Sequence, residues 1–95
     1  MPKFMVIHDL PNPVSVPEGE GVAKATKVLS NADCYWIGST LQLEPDGKIR
    51  RIICQYDAKD IGSVNKLLDQ IRKQIPGFPI DGPYPMVWVD GESYR

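Results

Sequence analysis

DCYWIGSTLQLEPDGKIRRIICQYD, residues 33–57, decides the fold. Two runs rich in β-branched and aromatic residues flank Glu44-Pro45-Asp46-Gly47, where proline presets φ for a turn and glycine accepts a positive φ. Each run has the length of a strand, so the stretch predicts an antiparallel hairpin. Beyond it, Ile61, Val64, Leu68, Ile71 and Ile75 form one helical stripe, broadened by Leu67, with charged and amide residues opposite. Pro76-Gly77 stops that pattern, giving a helix over about 59–75. PGFPIDGPYP then reads as an irregular connector, and MVWVD, residues 86–90, as a short closing strand.

Before the hairpin, KFMVIHD, residues 3–9, reads as a strand that the prolines at 11, 13 and 17 bring to an end. Ser15 and Glu18 fit a capping box, and Val22, Ala25, Leu29 and Ala32 follow at helical spacing, so a helix is expected over about 16–31. Gly19 and Gly21 weaken it by about 1 kcal/mol each relative to alanine. The order strand, helix, strand, strand, helix, strand, with no repeat or linker, predicts a single domain over residues 1–95. Its class is α+β, a ferredoxin-like βαββαβ fold: a four-stranded antiparallel sheet with two helices on one face. Right-handed crossovers put both helices on the same side and leave the other face open to a ligand or partner.

Alternation assigns side chains to faces. Burying Ile52, Cys54 and Tyr56 keeps Arg51 out of the core, which places Cys54 beneath the helices and Arg51 and Gln55 on the open side. In the preceding strand Ile37, Leu41 and Leu43 suit the helix side, leaving Cys34, Trp36 and Thr40 open. The first strand is apolar on both faces; the phase with Met5 and Ile7 inward puts His8 on the open face. There His8 converges with Trp36, Arg51, Gln55 and Trp88, a composition suited to a small-ligand cleft or a dimer interface. Trp36, Arg51, Gln55 and Trp88 are the candidate ligand-binding residues, and His8 the candidate metal or ligand contact. The plainer readings are a locally hydrogen-bonded strand-end histidine, packed tryptophans and a solvated arginine.

The composition sets limits on function. Ninety-five residues with 42% hydrophobic content suffice for one core. Eleven basic and 12 acidic residues leave a formal charge of −1, too little field to draw in nucleic acid or an anionic membrane. RNA-recognition modules share this element order, but they need stacking aromatics on the central strands, where this chain has Val6 and isoleucines. Cys34 and Cys54 lack C-x-x-C spacing and fall on opposite faces, so reduced thiols are expected instead of a disulfide or structural zinc. The N-terminal apolar run of about five residues is too short for a signal peptide core or a membrane span, so a cytoplasmic location is expected. No glycine-rich phosphate loop follows a strand, and neither Ser39 nor Cys54 has a base assigned beside it. No residue is given a catalytic role.

MPKFMVIHDLP, CYWIGSTLQL, IICQYDA and GFPID resemble segments of a family of small ferredoxin-like proteins of unassigned role that includes a nickel-binding protein. The resemblance implies a homodimer and divalent metal binding. The chain departs from the family where an acidic residue often ends the first strand, here Ile7, and where the second helix carries a histidine, here Asn65-Lys66. The expected protein is thus a small cytoplasmic binding protein, dimeric, taking a divalent transition metal or a small ligand. The alternative is a cofactor-independent enzyme of the dimeric α/β-barrel kind, a small monooxygenase or isomerase in which His8 or Arg51 polarises the substrate.

Overall fold

The computed structural model describes residues 1–94. Its elements are β1 (Lys3–Val14), α1 (Val16–Leu29), β2 (Cys34–Leu43), β3 (Ile49–Ala58), α2 (Ile61–Gln74), β4 (Asp81–Met86) and a 3-10 turn, η1 (Gly91–Tyr94). The strands form one antiparallel sheet in the order β2-β3-β1-β4. This is the expected ferredoxin-like α+β arrangement. Neither 14-residue helix is long and apolar enough to cross a membrane.

Local chemistry explains most boundaries. Gly47 takes the positive φ (87°) that closes the β2–β3 turn, and its N–H donates to the Glu44 carbonyl. Ser15 caps α1 by accepting from the Glu18 N–H, while its hydroxyl donates to the Glu18 carboxylate. Asp60 caps α2 by accepting from both the backbone N–H and the hydroxyl of Ser63. Val64, Leu67, Leu68 and Ile71 then bury one side of α2 against Phe4, Val6, Tyr56 and Ala58 in the main core cluster.

Four features differ from the sequence reading, the last of them a bulge in β2. First, β1 does not stop at Asp9: it loses register with β3 after Asp9↔Arg51 and resumes at Val14↔Ile49, with Pro11 and Pro13 in the unpaired stretch and Pro17 in the first turn of α1. Proline lacks the N–H a ladder needs, so it interrupts pairing there without ending the strand. Second, β4 is Asp81–Met86 and not 86–90. Its prolines are tolerated because β4 is an edge strand, and Val87, Trp88 and Val89 stay exposed beyond it. Third, β1 has the opposite phase to the one expected. Phe4, Val6, His8 and Leu10 are buried, and Met5 and Ile7 lie half-buried on the open face. The alternating set extended to Leu10 is the more apolar one, whereas its rival ends in Asp9.

β2 carries a bulge. Trp36 pairs with Tyr56 but Gly38 pairs with Gln55, so Ile37 is an extra residue and the faces exchange there. Cys34 and Trp36 therefore face the helices, not the open side, and Ile37 is exposed. Leu41 and Thr40, after the bulge, sit as expected: Leu41 opposite Ile52 and Thr40 opposite Ile53. Cys34 and Cys54 share the helix face but are free. Cys34 lies opposite Ala58, four residues along β3 from Cys54, roughly 13 Å at the rise of a strand and beyond disulfide reach.

Candidate functional site

His8 reaches the interior because β1 places it opposite Ile52 on the helix face, where it is 2% exposed. Its Nδ1 lies 2.7 Å from the Pro79 carbonyl oxygen, which only accepts, so Nδ1 carries the ring proton. Phe78 packs on the imidazole with ring centroids 4.6 Å apart. Burial holds His8 below its ordinary value of 6.5, partly opposed by the Pro79 bond. The ring is therefore neutral at pH 7. Its Nε2 keeps a free lone pair with no partner among the described residues.

Beside His8, between α1 and the sheet, lies a cavity of about 210 Å³. It exists because α1 is held at its two ends. Near the N-terminus, Gly19 rides so close to β3 that a Cβ there would stand 2.5 Å from Ile49 Cδ1. Near the C-terminus, the Trp36 N–H donates to Ser30 Oγ at 3.0 Å, and Lys27 Nζ donates to the Trp36 carbonyl at 3.3 Å. Between these anchors Val22 and Ala23 are too small to fill the space over Ile52 and Cys54, and Thr26 is the one buried α1 residue. A second hollow toward Leu10 and Phe78 shares Gly19, Val22 and Ile52 with the first.

The polar groups in the wall are ordered. Trp36 Nε1 donates to Ser39 Oγ at 3.0 Å, and Ser39 Oγ donates to Cys54 Sγ at 3.1 Å. Burial raises the Cys54 thiol, with its hydrogen-bond partners opposing, so it stays protonated and is no nucleophile at neutral pH. Cys34 is likewise pushed up to about 11 by burial. Behind Cys54, the Tyr56 hydroxyl is fully buried with only the Cys54 thiol, a weak partner, beside it, and burial pushes its ionisation far up. Among the described residues no lysine or arginine lines the cavity, and Glu20 is its one charged side chain.

The expected constellation is thus divided. His8 and Trp36 meet at this cavity, on the helix side. Arg51 and Gln55 lie on the opposite face, Arg51 paired with Asp9 and Gln55 opposite Met5. Trp88 follows β4 and is 65% exposed. Ser39 and Cys54 join the site without having been grouped with His8; with the correct β1 phase, the pairing of Val6 with Cys54 reveals the neighbourhood. Among the described residues no group of three or more His, Cys, Asp or Glu side chains is placed to hold a metal ion.

No protein-family model, no curated protein and no solved structure matches the chain.

Proposed function

We propose that this protein binds a small, neutral, largely apolar molecule in the cavity between α1 and the sheet, with His8 Nε2 accepting its one hydrogen bond. The observation that carries this reading is a neutral imidazole, oriented by Pro79 and lacking a partner at Nε2 among the described residues, in the wall of a largely apolar cavity. A cavity of roughly 150 Å³ accepts benzene, so about 210 Å³ suits a single substituted ring. The absence of basic side chains from the lining disfavours carboxylates and phosphates. The open face, bearing Met5, Ile7 and Ile53, is the surface on which a second copy would pack.

Trp36 reports on the site directly. In a Trp88→Phe background it is the remaining tryptophan of the chain. Phenol should change its fluorescence saturably, toluene should bind about 3- to 10-fold more weakly for want of the hydrogen bond, and benzoate should not bind. His8→Asn keeps a donor for Pro79 but puts no acceptor at the Nε2 position, and it should erase phenol's advantage over toluene. Equal affinities for phenol and toluene in the parent protein, or no saturation by either, would overturn the reading.

A further inference from the structure

We propose that the His8 cavity is also a proton-transfer site. His8 Nε2 removes a proton from the carbon beside the carbonyl of a small neutral ketone, and the Cys54 S–H hydrogen-bonds the oxygen on which charge collects. The inference rests on the ligand-binding reading above and names the substrate class.

Three observations meet at one place. The base is built: a buried imidazole is held by its Nδ1–H on Pro79 and by the Phe78 ring, with Nε2 unused. The donor is supplied by the direction of a hydrogen-bond chain. Trp36 donates to Ser39 and Ser39 spends its one proton on Cys54 Sγ, so the Cys54 thiol, which also neighbours the Tyr56 hydroxyl, does not give its proton to Ser39. The placement suits both. His8 pairs with Ile52, and Cys54 is two residues further along β3 on the same face, so the two are diagonal neighbours on adjacent strands and both line the cavity.

The step balances within the site. The C–H bond breaks and its electron pair becomes the enolate C=C as the carbonyl π pair moves onto oxygen; the proton goes to Nε2. Return of that proton restores the ketone. Exchange of the Nε2 proton with solvent before its return leaves solvent hydrogen on carbon, and delivery to a different carbon of an enone moves the double bond. Nothing is oxidised or reduced.

2-Indanone, a compact neutral ketone, is the probe. Its α-hydrogen exchange in D₂O is followed by proton NMR, and Trp36 fluorescence of the Trp88→Phe protein reports its binding. The expected result is exchange above the buffer rate, saturating over the same concentrations as the fluorescence change. The rate should rise with pH as His8 loses its proton and then level off. The other titratable groups facing His8 across the cavity are Cys54 from β3 and Glu20 from α1; the α2–β4 connector contributes only Phe78 and Pro79. Cys54→Ala should slow exchange about 10-fold, and His8→Asn at least about 100-fold. Saturable binding with exchange at the buffer rate would overturn the proposal and spare the binding reading. No saturable binding would overturn both. Should His8→Asn fail to fold, a rate on the parent protein that does not fall over the pH range in which the His8 ring is seen to charge by proton–nitrogen correlation overturns the proposal on its own.

Discussion

Two buried polar side chains on neighbouring strands have opposite circumstances. His8 is half satisfied, with Nδ1 on Pro79 and Nε2 open, whereas the Tyr56 hydroxyl is enclosed with only the weakly bonding Cys54 thiol beside it. An enclosed hydroxyl so poorly satisfied costs stability, so Tyr56→Phe should stabilise the fold by about 1 kcal/mol, raising Tm by roughly 4–8 °C for a domain of this size. Thermal unfolding of the two proteins compares them, and a loss of stability would show that the bond to the thiol outweighs the cost of burying the hydroxyl. For His8 the linkage runs the other way from an ion-paired histidine: its pKa is lowered below 6.5 on folding, so its contribution to stability is present above about 6.5 and lost as pH falls through the folded value. His8 was legible as a candidate because it is the sole histidine, but its face was not. Hydrophobicity alone scarcely separates Phe4 and Val6 from Met5 and Ile7. The deciding signal lay in Leu10 and Asp9, beyond the point where the prolines suggested the strand had ended.

At the level of elements, the hairpin and α2 were legible because turn chemistry and a helical stripe each have a local cause, in Pro45-Asp46-Gly47 and in Val64 through Ile71. The bulge at Ile37 was not, since strict alternation has no place for an extra residue, and it moved Trp36 to the helix face. β4 was misplaced because β-propensity favoured the valines and tryptophan of 86–90, while pairing with β1 selected Asp81–Met86. The stand-off of α1 depends on Gly19. Alanine there gains about 1 kcal/mol of helix propensity but meets Ile49 Cδ1 in a fully buried position. Overpacking of that kind costs roughly 1–3 kcal/mol, so Gly19→Ala should be net destabilising in the parent chain. In an Ile49→Val background, which lacks that methyl, the same change should become neutral or stabilising. Denaturant unfolding of the double-mutant cycle measures this, and equal effects in both backgrounds would contradict the close approach.

For the whole molecule, the helix face supplies the core and the cavity, and the other face is left with Met5, Ile7 and Ile53 half-buried between the Lys3–Asp57 and Arg51–Asp9 ion pairs. Each pair is neutral, so two such faces can meet without like-charge repulsion. Light scattering should give twice the chain mass, and Ile53→Glu should return the monomer with an unchanged circular dichroism spectrum, because Ile53 faces away from the core. A parent protein that is monomeric at tens of micromolar would contradict the packing. The architecture was legible from the order of elements, and the openness of one face followed from crossover handedness. The site was not: its cavity arises from small residues on α1 and from anchors at that helix's ends, three-dimensional circumstances that spacing along the chain does not encode.

The central claim is the state of one imidazole, and because the chain has a single histidine its ring nitrogens can be observed without ambiguity. Long-range proton–nitrogen correlation of ¹⁵N-labelled protein at pH 7 should show a neutral ring protonated at Nδ1, with the Nε2 resonance moving when phenol is added and the ring charging only below pH 6.5. A charged ring at neutral pH, protonation at Nε2, or an Nε2 signal indifferent to phenol would contradict it.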